Sequence, residues 1–203
     1  MSGIAWTIVA LGIAVVVVRR RSIAVGLVTA QALLLAAAAL GEGGSLDAAF
    51  AAAALALRGA VLAALFLFLV RRTRETRPIR VGVAPLGRAV AAVALAMTLI
   101  WLVPVIGLDS QAAERATLSL VAIGLVTAAT RRATLFQVLG IVLVENGLAL
   151  AALSLPGTSS LAIEIGVAVD LLLIALVAGV FHERIFAEFG AGDSTALRSL
   201  RES

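Results

Sequence analysis

The sequence predicts an all-α fold, a polytopic transmembrane bundle of about seven helices. Three observations carry this prediction: a hydrophobic fraction of 62%, a charged fraction of only 14%, and a succession of long apolar runs. Soluble domains are about half apolar and about a quarter charged, so a soluble globule and a nucleic-acid-binding domain are excluded. Spanning β-strands would alternate over about 10 residues, whereas these runs are longer and rich in Ala and Leu.

A spanning helix needs about 20 mostly apolar residues, and seven such runs follow one another. Pro104 is interpreted as a terminator near the outer end of the fourth run. The first run is interpreted as a retained helix, because its arginines follow the apolar residues, whereas a signal peptide has its charges first. The seven runs are 2–18, 22–40, 46–70, 85–107, 111–130, 133–153 and 160–185.

The chain divides into four predicted parts. A first three-helix unit (1–70) is followed by an Arg-rich loop with a linker helix (71–110). A second three-helix unit (111–185) precedes a polar tail (186–203), which is too short to form a catalytic domain.

Arginines predict how the helices cross the membrane. They cluster after the first, third, fifth and seventh runs, whereas the opposite loops carry Glu42, Asp47, Asp109, Glu114 and a lone Arg115. Short loops with an excess of arginine face the cytoplasm. We therefore expect a multi-pass protein of the cell inner membrane, with its N-terminus outside and its C-terminus in the cytoplasm.

An internal repeat is suggested by a shift of 114 residues. The shift superimposes the third run on the seventh, Gly26 on Gly140, and Gln31 on Glu145. Two three-helix units joined by one linker helix would be parallel repeats, an arrangement known in transporters. The alternative is a chance alignment of Ala/Leu-rich helices of similar length.

Ionisable and polar residues inside the runs are the candidate functional residues, because a charge in the bilayer needs a partner or a water cavity. A helical rise of 1.5 Å per residue places Gln31, Arg58, Glu145 and Asp170 roughly 14–18 Å deep, and Glu164 about 6 Å deep. Arg58 would hold a neighbouring carboxylate in its charged form, whereas burial favours the neutral form. The alternative is a static buried ion pair that fixes helix register.

Residue types exclude several other kinds of site. The chain has no cysteine and one histidine, His182, so thiolate and histidine metal sites are excluded. No glycine-rich phosphate loop and no hydrolase or metalloprotease motif occurs. We therefore expect no cofactor and no self-contained enzyme active site; any function lies within the bilayer or with partner subunits.

Several short motifs resemble a known family. They are Glu145-Asn146-Gly147, Ile163-Glu164-Ile165-Gly166 followed by Asp170, and Thr195-Ala196-Leu197, with Gln31 and Arg58 in the first half. The chain resembles, over essentially its whole length, the hydrogenase-4 component E family. That family supplies a membrane subunit of formate hydrogenlyase-type, group 4 [NiFe]-hydrogenase complexes.

The family is in turn similar to the K subunit of respiratory complex I, which the second unit (111–185) resembles. In that subunit, acidic residues of the last two helices belong to a hydrophilic axis for protons. Asp170 aligns with the second of these acidic residues. The first aligns with Val142, about one turn from Glu145, and Asn146 aligns with an asparagine of that subunit. Where Arg58 stands the family often has lysine; Arg58 keeps the positive charge but cannot act as a proton carrier.

The resemblance implies a non-catalytic membrane subunit that helps couple redox chemistry in its partners to proton or sodium movement. The implied proton pathway comprises Asp170, Glu145, Arg58, Glu164, Gln31 and Asn146. Implied partners are antiporter-like and anchor membrane subunits, together with the lipid bilayer, and no nucleic acid. Two alternatives stay open: a subunit of a multisubunit cation/proton antiporter, and a purely structural membrane scaffold.

Overall fold

A computed structural model describes residues 2–41, 46–72, 84–131 and 133–155. Every regular element in these ranges is an α-helix, and five of the six helices are long and apolar enough to cross a membrane. The predicted seventh helix (160–185), with Glu164 and Asp170, lies outside the described residues. The six helices are α1 (Ser2–Val17), α2 (Arg21–Gly41), α3 (Leu46–Arg72), α4 (Pro85–Leu102), α5 (Gln111–Thr130) and α6 (Thr134–Leu153).

The described chain is thus a bundle of apolar helices, as in a multi-pass membrane protein. The bounds of α2, α3, α5 and α6 lie within two residues of the predicted runs. The exception is α4, which ends five residues before the predicted position 107. Val103 is extended (φ −79°, ψ 124°), because the ring of Pro104 disfavours helical geometry at the preceding residue.

Residues 103–110 therefore form the connection between α4 and α5. Gly107 has φ 83°, a left-handed conformation that glycine adopts without a steric penalty. Ser110 begins α5 as its N-cap, where its side chain accepts a hydrogen bond from the backbone N–H of Ala113 at 3.1 Å.

A close backbone approach joins α5 to α6. A Cβ atom on Gly124 would lie 2.5 Å from the carbonyl oxygen of Gly140, and a Cβ on Gly140 would lie 2.6 Å from the backbone nitrogen of Ala128. Only hydrogen side chains fit there, as in other membrane helix pairs with small residues at the interface. Besides this pair, α2 packs on α3, α4 and α1 on α5, and α2 on α6.

The bundle has two chemically different ends. The Arg-rich end contains the C-termini of α1, α3 and α5 and the N-termini of α2, α4 and α6, and it is held by Arg131, whose Nη2 donates to the carbonyl of Val16 at 2.8 Å. The acidic end contains the α4–α5 connection, where the Asp109 N–H donates to the carbonyl of Ser154 at 2.8 Å. Glu114 accepts a hydrogen bond there from the N–H of Ile106 at 2.9 Å.

Candidate functional site

A chain of hydrogen bonds crosses the middle of the bundle, and it begins at α1. Gln31 of α2 is completely buried, and its Nε2 donates to the carbonyl oxygen of Ile8 at 2.7 Å. That carbonyl therefore accepts a bond from outside its own helix. The other amide atom of Gln31, Oε1, accepts a hydrogen bond at 3.2 Å from Nδ2 of Asn146, which α6 contributes.

Asn146 links this amide pair to two charged groups. It is also completely buried, and its Oδ1 accepts a hydrogen bond from Nη2 of Arg58 at 2.7 Å. The other terminal nitrogen of Arg58, Nη1, lies 3.6 Å from Oε2 of Glu145. The side chains of Arg58 and Glu145 are only 5% and 12% exposed.

We call Gln31, Arg58, Glu145 and Asn146 the polar network. Its charges compensate, with one guanidinium opposite one carboxylate, and its two amides have their dipoles oriented by the bonds described above. Because burial strengthens electrostatic interactions and raises the cost of an unpaired group, the network fixes how α2, α3 and α6 meet. Its members come from three helices, and the Ile8 carbonyl adds a fourth.

The chemistry of the network is uneven along its length. The amides of Gln31 and Asn146 do not titrate, and a guanidinium keeps its proton in proteins. Glu145 is therefore the member that can take up and release a proton. The others position its carboxylate and supply the positive charge that faces it.

A narrow cleft reaches the network from the side of α2, α3 and α6. Thr29, Arg58 and Asn146 form its polar part, and its other walls are mostly aliphatic, among them Leu62 and Val142. The cleft has room for about one water molecule. The guanidinium and the amide in its lining are the groups that could hydrogen-bond to a water there.

The structure brings together four of the six residues predicted for the proton pathway: Gln31, Arg58, Glu145 and Asn146. Asp170 and Glu164 lie outside the described residues, so their places in the pathway stay predictions. Within the described ranges, no group of three or more His, Cys, Asp or Glu residues could hold a metal ion.

Arg131, which in the sequence served only to predict topology, makes structural contacts. Its Nη2 donates to the carbonyls of Val15, Val16 and Val18 at the end of α1, and its guanidinium lies 4.1 Å from the ring centroid of Phe136. Burial is the main cause that lowers the pKa of Arg131 to about 10, and the positive charges of Arg88 and Arg19 add to it. The aromatic residue five positions after Arg131 was the signal available in the sequence.

Comparisons with known proteins give a distant relative. The chain is 32% identical over 102 residues to Rv0085, an uncharacterized protein of Mycobacterium tuberculosis, and the aligned region is 49% of this chain and 46% of that protein. The chain thus matches about half the length of this curated relative. No protein-family model matches the chain, and no solved structure matches it.

Proposed function

We propose that this chain is a membrane subunit of a complex I-like hydrogenase of the hydrogenase-4 or formate hydrogenlyase type. In this proposal the polar network belongs to a proton-conducting axis that couples redox chemistry in partner subunits to ion movement. The chain itself carries no redox centre. Its motifs around Glu145 and Asp170 support the family, and the buried Arg58–Glu145 ion pair supports the role.

The ion pair is the observation that carries the proposal. A carboxylate in the middle of a membrane bundle is costly, and such groups commonly mark ion pathways and proton relays. Arg58 at 3.6 Å favours the charged form of Glu145, whereas burial favours its neutral form. A small displacement of Arg58 or the entry of one water would shift this balance, so that the carboxylate could accept or release a proton.

The roles within the network differ in this proposal. Glu145 is the proton-accepting group, and Asp170 is a second one. Arg58 is a positioning residue that controls the charge of Glu145, and the amides of Gln31 and Asn146 hold the guanidinium in place. Because Arg58 keeps its own proton, the proton would pass it by way of water in the cleft and not through its side chain.

A scaffold role is the second candidate, and the amides favour it. Gln31 and Asn146 are completely buried and bonded to each other, a pattern that also serves to fix helix register. In a scaffold the ion pair would stay closed throughout turnover. Neutralising Glu145 would then change stability without changing ion movement.

Proton pumping in inverted membrane vesicles separates the two candidates. The complex is isolated through a tag on this chain, and mass spectrometry identifies the subunits that accompany it. We expect the complexes that assemble with Glu145→Gln or Asp170→Asn to move fewer protons per electron transferred. Glu114→Gln is the control, since it removes a carboxylate at the acidic end of the bundle.

Full pumping by the Glu145→Gln, Asp170→Asn double variant would exclude the proton-conducting role and leave only the scaffold role. Co-purification with cation/proton antiporter subunits alone would replace the hydrogenase assignment.

A further inference from the structure

Positive charge at the Arg-rich end is not balanced by the described carboxylates. The arginines whose side chains the structure describes at this end number six, whereas Asp109 and Glu114 lie at the acidic end and Glu145 lies in the middle of the bundle. The six are Arg19, Arg20, Arg21, Arg71, Arg88 and Arg131.

Arg88 is the arginine whose surroundings point to a ligand. It lies in the first turn of α4 and is only 3% exposed, yet its Nε and Nη2 atoms are buried without a hydrogen-bond partner. A buried donor that remains unpaired is costly, and more so when it is charged. A group that accepts hydrogen bonds and carries negative charge would remove this cost.

The helix that carries Arg88 adds further positive potential at the same place. α4 begins with Pro85 at its first position, and its N-cap, Ala84, provides no side-chain hydrogen bond. Pro85 has no N–H, and the N–H of Arg88 donates to the carbonyl of Ala84. The N–H groups of Leu86 and Gly87 have no partner within the helix, and together with the helix dipole they attract anions. Ala84, Leu86 and Gly87 are exposed, so an anion can approach this turn from the surface.

Two further arginines stand close to Arg88. α4 packs against α1 and α5, and these two helices end next to Arg19 and Arg131. The charges of Arg88 and Arg19 both act on Arg131, which itself is engaged with the carbonyls at the end of α1. Arg131 therefore joins α5 to the end of α1, whereas Arg19 is exposed and Arg88 keeps two donors without a partner.

We propose that Arg88 and Arg19, with the first turn of α4, form a binding site for the phosphate of an anionic phospholipid. Guanidinium groups bind phosphate through paired hydrogen bonds, and basic pockets between membrane helices bind the headgroups of anionic lipids. The lipid, and not phosphate from solution, is favoured by the position of the site. It lies where three apolar helices end, so a bound headgroup can keep its acyl chains along α4, whose residues Leu86 and Val90 are 75% and 60% exposed.

Lipid binding to the purified full-length chain tests the proposal. The delipidated protein is titrated with phosphatidylglycerol, with phosphatidylcholine and with inorganic phosphate, and bound lipid is counted by native mass spectrometry. Arg88→Gln removes the guanidinium that is proposed to bind the phosphate. Arg71→Gln is the matched control, because Arg71 is an exposed arginine at the same end on α3.

We expect phosphatidylglycerol to bind at least tenfold more tightly than phosphatidylcholine. Arg88→Gln should weaken phosphatidylglycerol binding about tenfold, as the loss of charge-assisted hydrogen bonds implies. Arg71→Gln should bind as the wild type does. If Arg88→Gln does not fold, Arg19→Gln carries the same expectation, since Arg19 is an exposed residue outside the helices.

Two results would overturn the proposal. Equal phosphatidylglycerol binding by the wild type and by Arg88→Gln and Arg19→Gln would remove these residues from any lipid site. Competition by inorganic phosphate at equal concentration would show that the site takes a small soluble anion in place of a lipid.

Discussion

Breaking the ion pair between Arg58 and Glu145 is the perturbation with the largest expected effect on stability. Two unit charges 3.6 Å apart attract each other by about 4–5 kcal/mol at an effective dielectric constant of about 20. Removing one partner of a buried pair typically costs about 3–5 kcal/mol, because the remaining charge is left without compensation. Arg58→Met should therefore lower the free energy of unfolding by about 3–5 kcal/mol.

A double-mutant cycle separates the pair from the other contacts of each residue. Glu145→Gln alone removes the carboxylate that lies 3.6 Å from Arg58, whereas the Arg58→Met, Glu145→Gln double variant removes both charges together. The double variant should therefore cost less than the sum of the single variants, with a coupling energy of at least about 2 kcal/mol. Arg58→Lys keeps the positive charge and should be the mildest of the substitutions at this position.

Unfolding of the full-length chain in mixed detergent micelles, followed by circular dichroism, provides the measurement. Glu114→Gln combined with Arg58→Met is the control cycle, because Glu114 lies at the acidic end, and its coupling energy should be near zero. A coupling energy below about 0.5 kcal/mol for Arg58 with Glu145 would refute the reasoning, since that is the level at which independent sites add. The 3.6 Å contact would then carry no net interaction.

Three further predictions concern packing and orientation. Gly140→Ala should destabilise the protein by about 1–3 kcal/mol, because the added Cβ would overlap the α5 backbone. Gly26→Ala is the control and should not destabilise it, because nothing lies within 4 Å of a Cβ there. Equal melting temperatures of the two variants would contradict this. Arg131→Gln should cost about 1.5–3 kcal/mol by releasing the end of α1. That cost should be constant from pH 5 to 9. The pKa of Arg131 is lowered to about 10 in the folded protein, so Arg131 is protonated in both the folded and the unfolded state at these pH values. A strong change of the cost within this window would count against the contact. Because the chain has no cysteine, an impermeant thiol reagent on intact cells should label Val105→Cys and not Ser22→Cys; the reverse pattern would invert the predicted orientation.

The helix bounds were predictable because residue types with strong local effects mark the helix ends. Arginines follow α1, α3 and α5, and Ser110 caps α5. The end of α4 was placed too late because apolar residues continue past Pro104, and hydrophobicity alone does not reveal that the preceding Val103 leaves the helix. Local backbone geometry decided this boundary.

The grouping of Gln31, Arg58 and Glu145 could be predicted, because the fixed rise per residue and the alternating helix directions determine how far along the bundle each residue lies. Depth does not set the direction of a side chain around its helix. Glu145 and Asn146 are neighbours in sequence and point about 100° apart, so the sequence could not tell which of them would meet Gln31. In the structure Asn146 bonds to Gln31, and Glu145 faces Arg58.

Equivalent positions of the predicted repeat also diverge in their surroundings. Gly26 and Gly140 coincide under the shift of 114 residues, yet Gly26 is exposed whereas Gly140 lies against the backbone of Ala128. Both positions are glycines within apolar runs. The difference arises because α6 packs tightly on α5 at this level and α2 does not pack on α1 in the same way, which is a property of the assembled bundle.

The polar network lies across the boundary between the two predicted units. Arg58 and Gln31 belong to residues 1–70, whereas Glu145 and Asn146 belong to residues 111–185. Neither unit alone would contain both members of the Arg58–Glu145 ion pair, so the pair forms only when the units associate. The bond from Asn146 to Gln31 joins α2 to α6 at the same level. The same charges that make the network a candidate for ion movement thus also join the two units, and a proton arriving at Glu145 would weaken the contact between them.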